Sequence, residues 1–155
     1  QVSKVRSKIA SYPFTTKQPV LGVVESGEVQ FVIADLPGLI EGAHSGRGLG
    51  DRFLKHAERT KILVHLIDMA SSEGRDPLDD FMKISDELKA YSELLTVKER
   101  IVAANKMDLP HAAENLKRFR ERFSFKVFEV SALTGEGVGP VVEEIRKILK
   151  PLKTG

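Results

Sequence analysis

Asn105-Lys106-Met107-Asp108 follows an apolar run, Arg100–Ala104, that reads as a strand. A carboxylate at Asp108 can accept two hydrogen bonds, one from the ring N–H and one from the exocyclic amine of guanine. Adenine lacks that donor pair, and a polar group left unpaired costs about 1–3 kcal/mol, so such a site rejects it. Asn105 would tie neighbouring loops together, and the stem of Lys106 would cover one face of the base. The same four residues also suit a plain strand-to-helix loop with Asp108 as the cap. Ser131-Ala132-Leu133 follows the next apolar run. Its backbone N–H groups can bond the guanine carbonyl oxygen while Ser131 braces the loop. By itself the tripeptide says little; its weight lies in its order after Asn105–Asp108.

Two earlier segments fit phosphate and metal chemistry. Asp35-Leu36-Pro37-Gly38 comes directly after a β-branched run. A carboxylate there can hold magnesium through water, and a glycine lets a backbone N–H approach a terminal phosphate. An ordinary Pro-Gly turn accounts for the tetrapeptide equally well. In Phe14-Thr15-Thr16 a threonine hydroxyl can ligate magnesium when a third phosphate is present; as an isolated feature, threonine at a strand entry explains it.

These segments need elements to place them. Val20–Glu25 and Val29–Asp35 read as a hairpin around Ser26-Gly27-Glu28. Glycines follow at 38, 42, 46, 48 and 50, then a helix over Asp51–Arg59 with Phe53, Leu54 and Ala57 on one face. Ile62–Ile67 ends at Asp68 and reads as a strand buried on both faces. Leu78–Leu95 carries Phe81, Ile84, Leu88, Tyr91 and Leu95 at helical spacing, started by Asp76-Pro77. A helix over Ala112–Phe123, a strand over Lys126–Val130 and a helix over Val138–Leu149 complete the order, with Val142, Ile145 and Leu149 inward and Pro151 ending the last. Alternating strands and helices imply an α/β fold with a mostly parallel, doubly wound sheet, the early hairpin being its one antiparallel pair. Ligands of such sheets bind beyond the carboxyl ends of the strands, where three of the four segments fall, while Phe14-Thr15-Thr16 lies in the loop before the first hairpin strand.

The 155 residues suit one domain with a real core: 41% are hydrophobic and 30% charged. A net charge of +2 does not demand a nucleic-acid or membrane partner. With no cysteine there is no disulfide or thiolate metal site, which fits a reducing compartment. No apolar run approaches the roughly 20 residues of a membrane span, and Gln1–Arg6 has no apolar targeting core. A soluble, cytoplasmic, monomeric domain is expected. His44, His56, His65 and His111 show no metal-ligand spacing, and His65, in an apolar strand, is expected to be a core histidine with its nitrogens satisfied. Lys4, Arg6, Lys8 and Lys17 form a basic cluster that suits either RNA or a solvated face. Glu87–Leu95 reads as core-facing helix.

Taken jointly, the four segments resemble a translation-factor-class GTPase. More narrowly, Tyr12–Thr16, Asp35–Ala43, Gly46–Gly50, Arg52–His56, Glu58-Arg59-Thr60 and Glu73–Pro77 resemble the Obg family over nearly the whole chain. That resemblance implies a Ras-like P-loop GTPase fold, magnesium-dependent binding and hydrolysis of GTP to GDP, and association with the large ribosomal subunit or its RNA during assembly. By the same resemblance Thr16 matches the magnesium-contacting threonine and Asp35–Gly38 the phosphate-sensing loop. Asn105, Lys106 and Asp108 match the guanine-reading motif, with Ser131–Leu133 closing over the base.

Two departures qualify it. Gly-x-x-x-x-Gly-Lys-Ser/Thr occurs nowhere in the chain, and Gln1–Lys8 resembles the end of the helix that follows that loop. Residues 1–155 are therefore expected to be an N-terminally incomplete Obg-type domain, with first strand and phosphate loop missing. Leu39 follows Asp35–Gly38 where many GTPases carry a glutamine that orients the attacking water, so no catalytic side chain is assigned and intrinsic hydrolysis is expected to be slow. A nucleotide-incompetent docking module and a related Drg- or YchF-type GTPase are the alternative readings; Asn105–Asp108 favours Obg over YchF.

Overall fold

The computed structural model describes residues 4–9, 20–26, 29–34 and 57–149. Its first sheet is antiparallel: β1 (Lys4–Ile9), β2 (Val20–Ser26) and β3 (Val29–Ala34) lie in that order. The expected hairpin is present, with Ser26 opposite Val29 and Leu21 opposite Ala34. It is not the one antiparallel pair expected: β1 also pairs antiparallel with β2, and among the described residues the hairpin lies in a sheet separate from the parallel one. The helix end expected within Gln1–Lys8 is not present. Residues 4–9 form a strand instead, Lys4 opposite Glu25 and Ile9 opposite Val20. Val5 and Ile9 fit both a helical period and strand alternation, and pairing with a ready β2 edge decides between them.

The second sheet is parallel, in the order β4 (Ile62–Asp68), β5 (Glu99–Asn105) and β6 (Val127–Glu129). Among the described residues it is accompanied by α1 (Pro77–Tyr91), α2 (Glu93–Val97), α3 (Ala112–Arg122) and α4 (Val138–Leu149). β5 runs through the middle and is buried from Ile101 to Ala104. Alternation of its side chains sends Val102 and Ala104 to one face, against Leu78 and Phe81 of α1 and Leu116 and Phe119 of α3. Ile101 and Ala103 go to the other face, against Val141 and Ile145 of α4 and Phe31 of β3. Helices thus cover both faces, as the alternating pattern predicts.

β4 departs from the expected two-faced burial, since Val64 and Leu66 are 42% and 54% exposed. It is the edge of its sheet among the described residues, so Leu63, His65 and Ile67 have helices over them while the opposite face is less covered.

α1 begins as expected: Asp76 accepts the Leu78 N–H at 3.2 Å, and Pro77 occupies the first turn, where its missing N–H costs nothing. Arg118 ties Asp76 to α3 with contacts of 3.0 and 3.2 Å. The single helix expected over Leu78–Leu95 is broken at Ser92. That residue is extended (φ −162°, ψ 135°), and its hydroxyl accepts the Leu94 N–H at 3.2 Å. A serine side chain competes for backbone donors and restarts the helix as α2. The apolar face nevertheless continues through Leu88 and Leu95, which pack with Ala57. Lys98 then donates to the carbonyls of Ala57, Glu58 and Thr60, closing the short helical turn at 57–59.

His65 is a core residue, but Nδ1 has no hydrogen-bond partner, contrary to the expected satisfied state. Its ring stacks on Phe81 at 4.9 Å between centroids, and the Arg100 guanidinium lies 5.1 Å from the Phe81 ring centroid. Burial, with a smaller contribution from Arg100, pushes the imidazole pKa down to about 4. Because the unfolded chain binds the proton near pH 6.5 and the folded chain does not, stability falls as pH drops from about 6.5 towards 4 and levels off below. Replacing His65 with Phe is expected to remove about 2 kcal/mol of the stability lost between pH 7 and 4.5. Urea unfolding at both pH values checks this; identical losses in the two proteins would rule it out.

Candidate functional site

Phe14, Thr15, Thr16, Asp35, Leu36, Pro37 and Gly38 lie outside the described residues. β3 ends at Ala34, so Asp35 directly follows a strand, as expected. The other predicted residues come together at the carboxyl edge of the parallel sheet. β5 ends at Asn105 and delivers Lys106, Met107 and Asp108 into a turn; Ser131, Ala132 and Leu133 follow β6.

Backbone bonds set these two turns side by side. Val130 N–H donates to Ala104 carbonyl at 2.8 Å, and Met107 N–H donates to Val130 carbonyl at 3.2 Å. Side chains then lock them. The Ser131 hydroxyl donates to Asp108 Oδ1 at 2.8 Å and accepts the Thr134 N–H at 3.2 Å. Ser131 is 2% exposed, so its hydroxyl holds Asp108 from a buried base. Asn105 Oδ1 accepts the Ala132 N–H at 3.0 Å, the loop-tying contact expected of Asn105. Asp108 is itself exposed, and a carboxylate keeps acceptor capacity beyond one hydrogen bond. Leu133 is 88% exposed.

Gly137 shapes the second turn. Its φ is +78°, and a Cβ there would lie 2.0 Å from the Glu129 carbonyl oxygen. Only glycine allows the chain returning into α4 to pass so close to β6.

Lys106 does not stand free over the turn. Its Nζ lies 3.1 Å from Asp68 Oδ2 and 2.5 Å from Ser72 Oγ. Burial raises the Asp68 carboxyl, but hydrogen bonds from Ser72 and Lys106, the Lys106 charge and the Ala70 N–H outweigh it and hold Asp68 below its ordinary value. Sequence reasoning missed Asp68 and Ser72. A usable signal existed, because Asp68 also ends an apolar strand and so falls on the ligand-binding edge.

Solved structures of similar fold include the G domain of the T. maritima FeoB iron transporter, with a TM-score of 0.66 and 16% identity, covering 93% of this chain and 84% of that one. The cytosolic domain of L. pneumophila FeoB gives 0.65 and 18%, covering 96% and 58%. These likenesses show an α/β fold. A sequence model described as "50S ribosome-binding GTPase" matches residues 1–106. GTPase Obg of Caldanaerobacter subterraneus subsp. tengcongensis is 52% identical over 97% of this chain, and GTPase Obg of Symbiobacterium thermophilum 55% over 96%. The chain belongs to the 50S ribosome-binding GTPase family, as a GTP-binding domain of the Obg type. It spans 36% of the length of either relative. No helix among the described residues is long and apolar enough to cross a membrane.

Proposed function

We propose that residues 1–155 belong to the guanine-nucleotide-binding domain of a protein that hydrolyses GTP to GDP and acts as a switch on the large ribosomal subunit during its assembly in the cytoplasm. The observation that carries the base assignment is the clasp of Ser131 on Asp108 and of Asn105 on Ala132 at the sheet's carboxyl edge. It fixes a carboxylate where a ring N–H and an exocyclic amine can share it. The family match supports the ribosomal partner. Thr16 and Asp35 would hold a magnesium ion, which supplies charge neutralisation for the phosphates when bound. Phe14–Thr16 and Asp35–Gly38 would contact the phosphates, Lys106 and Met107 would flank the base, and Ser131–Leu133 would close over it.

The test is competition in the protein of full natural length: unlabelled GDP should displace labelled GDP at a concentration at least about 100-fold below ADP. Equal displacement by ADP would end the guanine assignment. Leu39 in place of a water-orienting glutamine sets a second expectation. Single-turnover hydrolysis without a partner should be slow, on the order of 10⁻³ per second. Several turnovers per second with no activator would show that the attacking water is oriented by a residue of this protein.

A further inference from the structure

Lys106 carries an anchorage that base recognition does not explain. Its backbone is left-handed, with φ at 64°, a conformation that non-glycine residues adopt only where their surroundings enforce it. From there the side chain crosses from the end of β5 to the end of β4. Its ammonium donates to Asp68 Oδ2 and to Ser72 Oγ, and the Ser72 hydroxyl donates to the same Asp68 oxygen at 2.5 Å. Asp68 in turn accepts the Ala70 N–H at 3.1 Å and the Ser72 N–H at 3.2 Å, so the carboxylate is held rigidly before it meets the lysine. The three polar heads form a closed triangle. In the parallel register Asp68 stands opposite Asn105, the residue preceding Lys106.

We propose that Asp68, backed by Ser72, is a positioning residue that fixes the Lys106 stem over the base, and so governs how long a guanine nucleotide stays bound rather than which base is chosen. This rests on the nucleotide reading above. A lysine has a long, freely rotating stem, and an ammonium tethered at its tip leaves the stem few rotamers. The base then packs against a surface already in place, and escape becomes slower. Selectivity stays with Asp108, which the triangle does not touch. Asp68 touches no reacting atom in this scheme.

Asp68→Asn separates this role from a merely structural one. The amide keeps an oxygen for the Ala70 N–H, so the turn survives, but the charge that holds Lys106 is gone. In the protein of full natural length, release of labelled GDP should accelerate about 5- to 30-fold, the loss of one charge-assisted hydrogen bond. The ratio of guanine to xanthine affinity should not change. Ser72→Ala, at an exposed position, should give a smaller acceleration of about 2- to 5-fold and serves where Asp68→Asn folds poorly. In a Lys106→Ala background, Asp68→Asn should add less than about twofold, since the partner is already absent. Release rates within twofold of the parent in both variants would overturn the proposal. So would the same acceleration with and without Lys106, because Asp68 would then act by another route. If the unsubstituted protein binds no GDP, the nucleotide reading itself falls, a result distinct from normal binding with insensitive variants.

Discussion

Asp108→Asn should turn a guanine site into a xanthine site. The aspartate offers two oxygens to two donors on one edge of guanine. Asparagine offers one oxygen and one amide, which leaves a guanine donor facing a donor but matches the N–H and carbonyl of xanthine. A buried mismatch of this kind costs about 1–3 kcal/mol for each group left unpaired, and sites built around such bonds discriminate by orders of magnitude. GDP affinity should fall about 100-fold or more, and XDP should overtake GDP. The Ser131 hydroxyl, 2.8 Å from Asp108 Oδ1, can still donate to the amide oxygen, so the side chain should keep its place. Competition of GDP and XDP against a labelled nucleotide reads both affinities. A preference for GDP as strong as before would show that Asp108 does not read the base.

Gly137→Ala should be among the most damaging single substitutions in the chain, although the residue touches no ligand in the proposed site. The added methyl would meet the Glu129 carbonyl oxygen at 2.0 Å and Val130 Cα at 3.1 Å, backbone atoms that cannot swing aside. Left-handed backbone adds about 1–2 kcal/mol for any residue with a Cβ, and overpacking about 1–3 more. The expected loss is about 2–5 kcal/mol of unfolding free energy. Gly135 is the internal control. Its φ is +83°, but a methyl added there would have no neighbour within 4 Å, so Gly135→Ala should lose only the backbone part, about 1–2 kcal/mol. Urea unfolding of both variants separates the two contributions. Equal losses would mean that the close approach to β6 is not what requires glycine.

The parts of this molecule legible in its sequence are those decided by local chemistry. Asp76-Pro77 announces the start of α1 because a cap and a fixed φ act within one turn. Val138–Leu149 is helical over the expected range because nothing inside it competes for the backbone. Asn105–Asp108 and Ser131–Leu133 sit on the loops that strand order assigns to them. The misreadings arise where a distant partner or a single side chain decides. Lys4–Ile9 becomes a strand because β2 is beside it, information that residues 1–8 do not contain. Ser92 interrupts a helix whose apolar spacing continues undisturbed through Leu95. His65 reads correctly as core, but whether Nδ1 finds a partner depends on the helix above it, which offers Phe81. Asp68 is not legible in the same way, because its meaning depends on which residue of β5 stands beside it.

That last dependence reaches further than one lysine. The pairing of β4 with β5 places Asp68 beside Asn105 and Ile67 beside Ala104. Ile67, Val102 and Ala104 are buried in one cluster, so sliding one strand by a single residue would turn these side chains onto the opposite face. The polar groups at the rim cannot set this alignment, because they lie at its very end. The apolar interior is therefore the molecule's ruler: it measures out the strands from within, and the carboxylate and ammonium at the edge meet where the ruler stops.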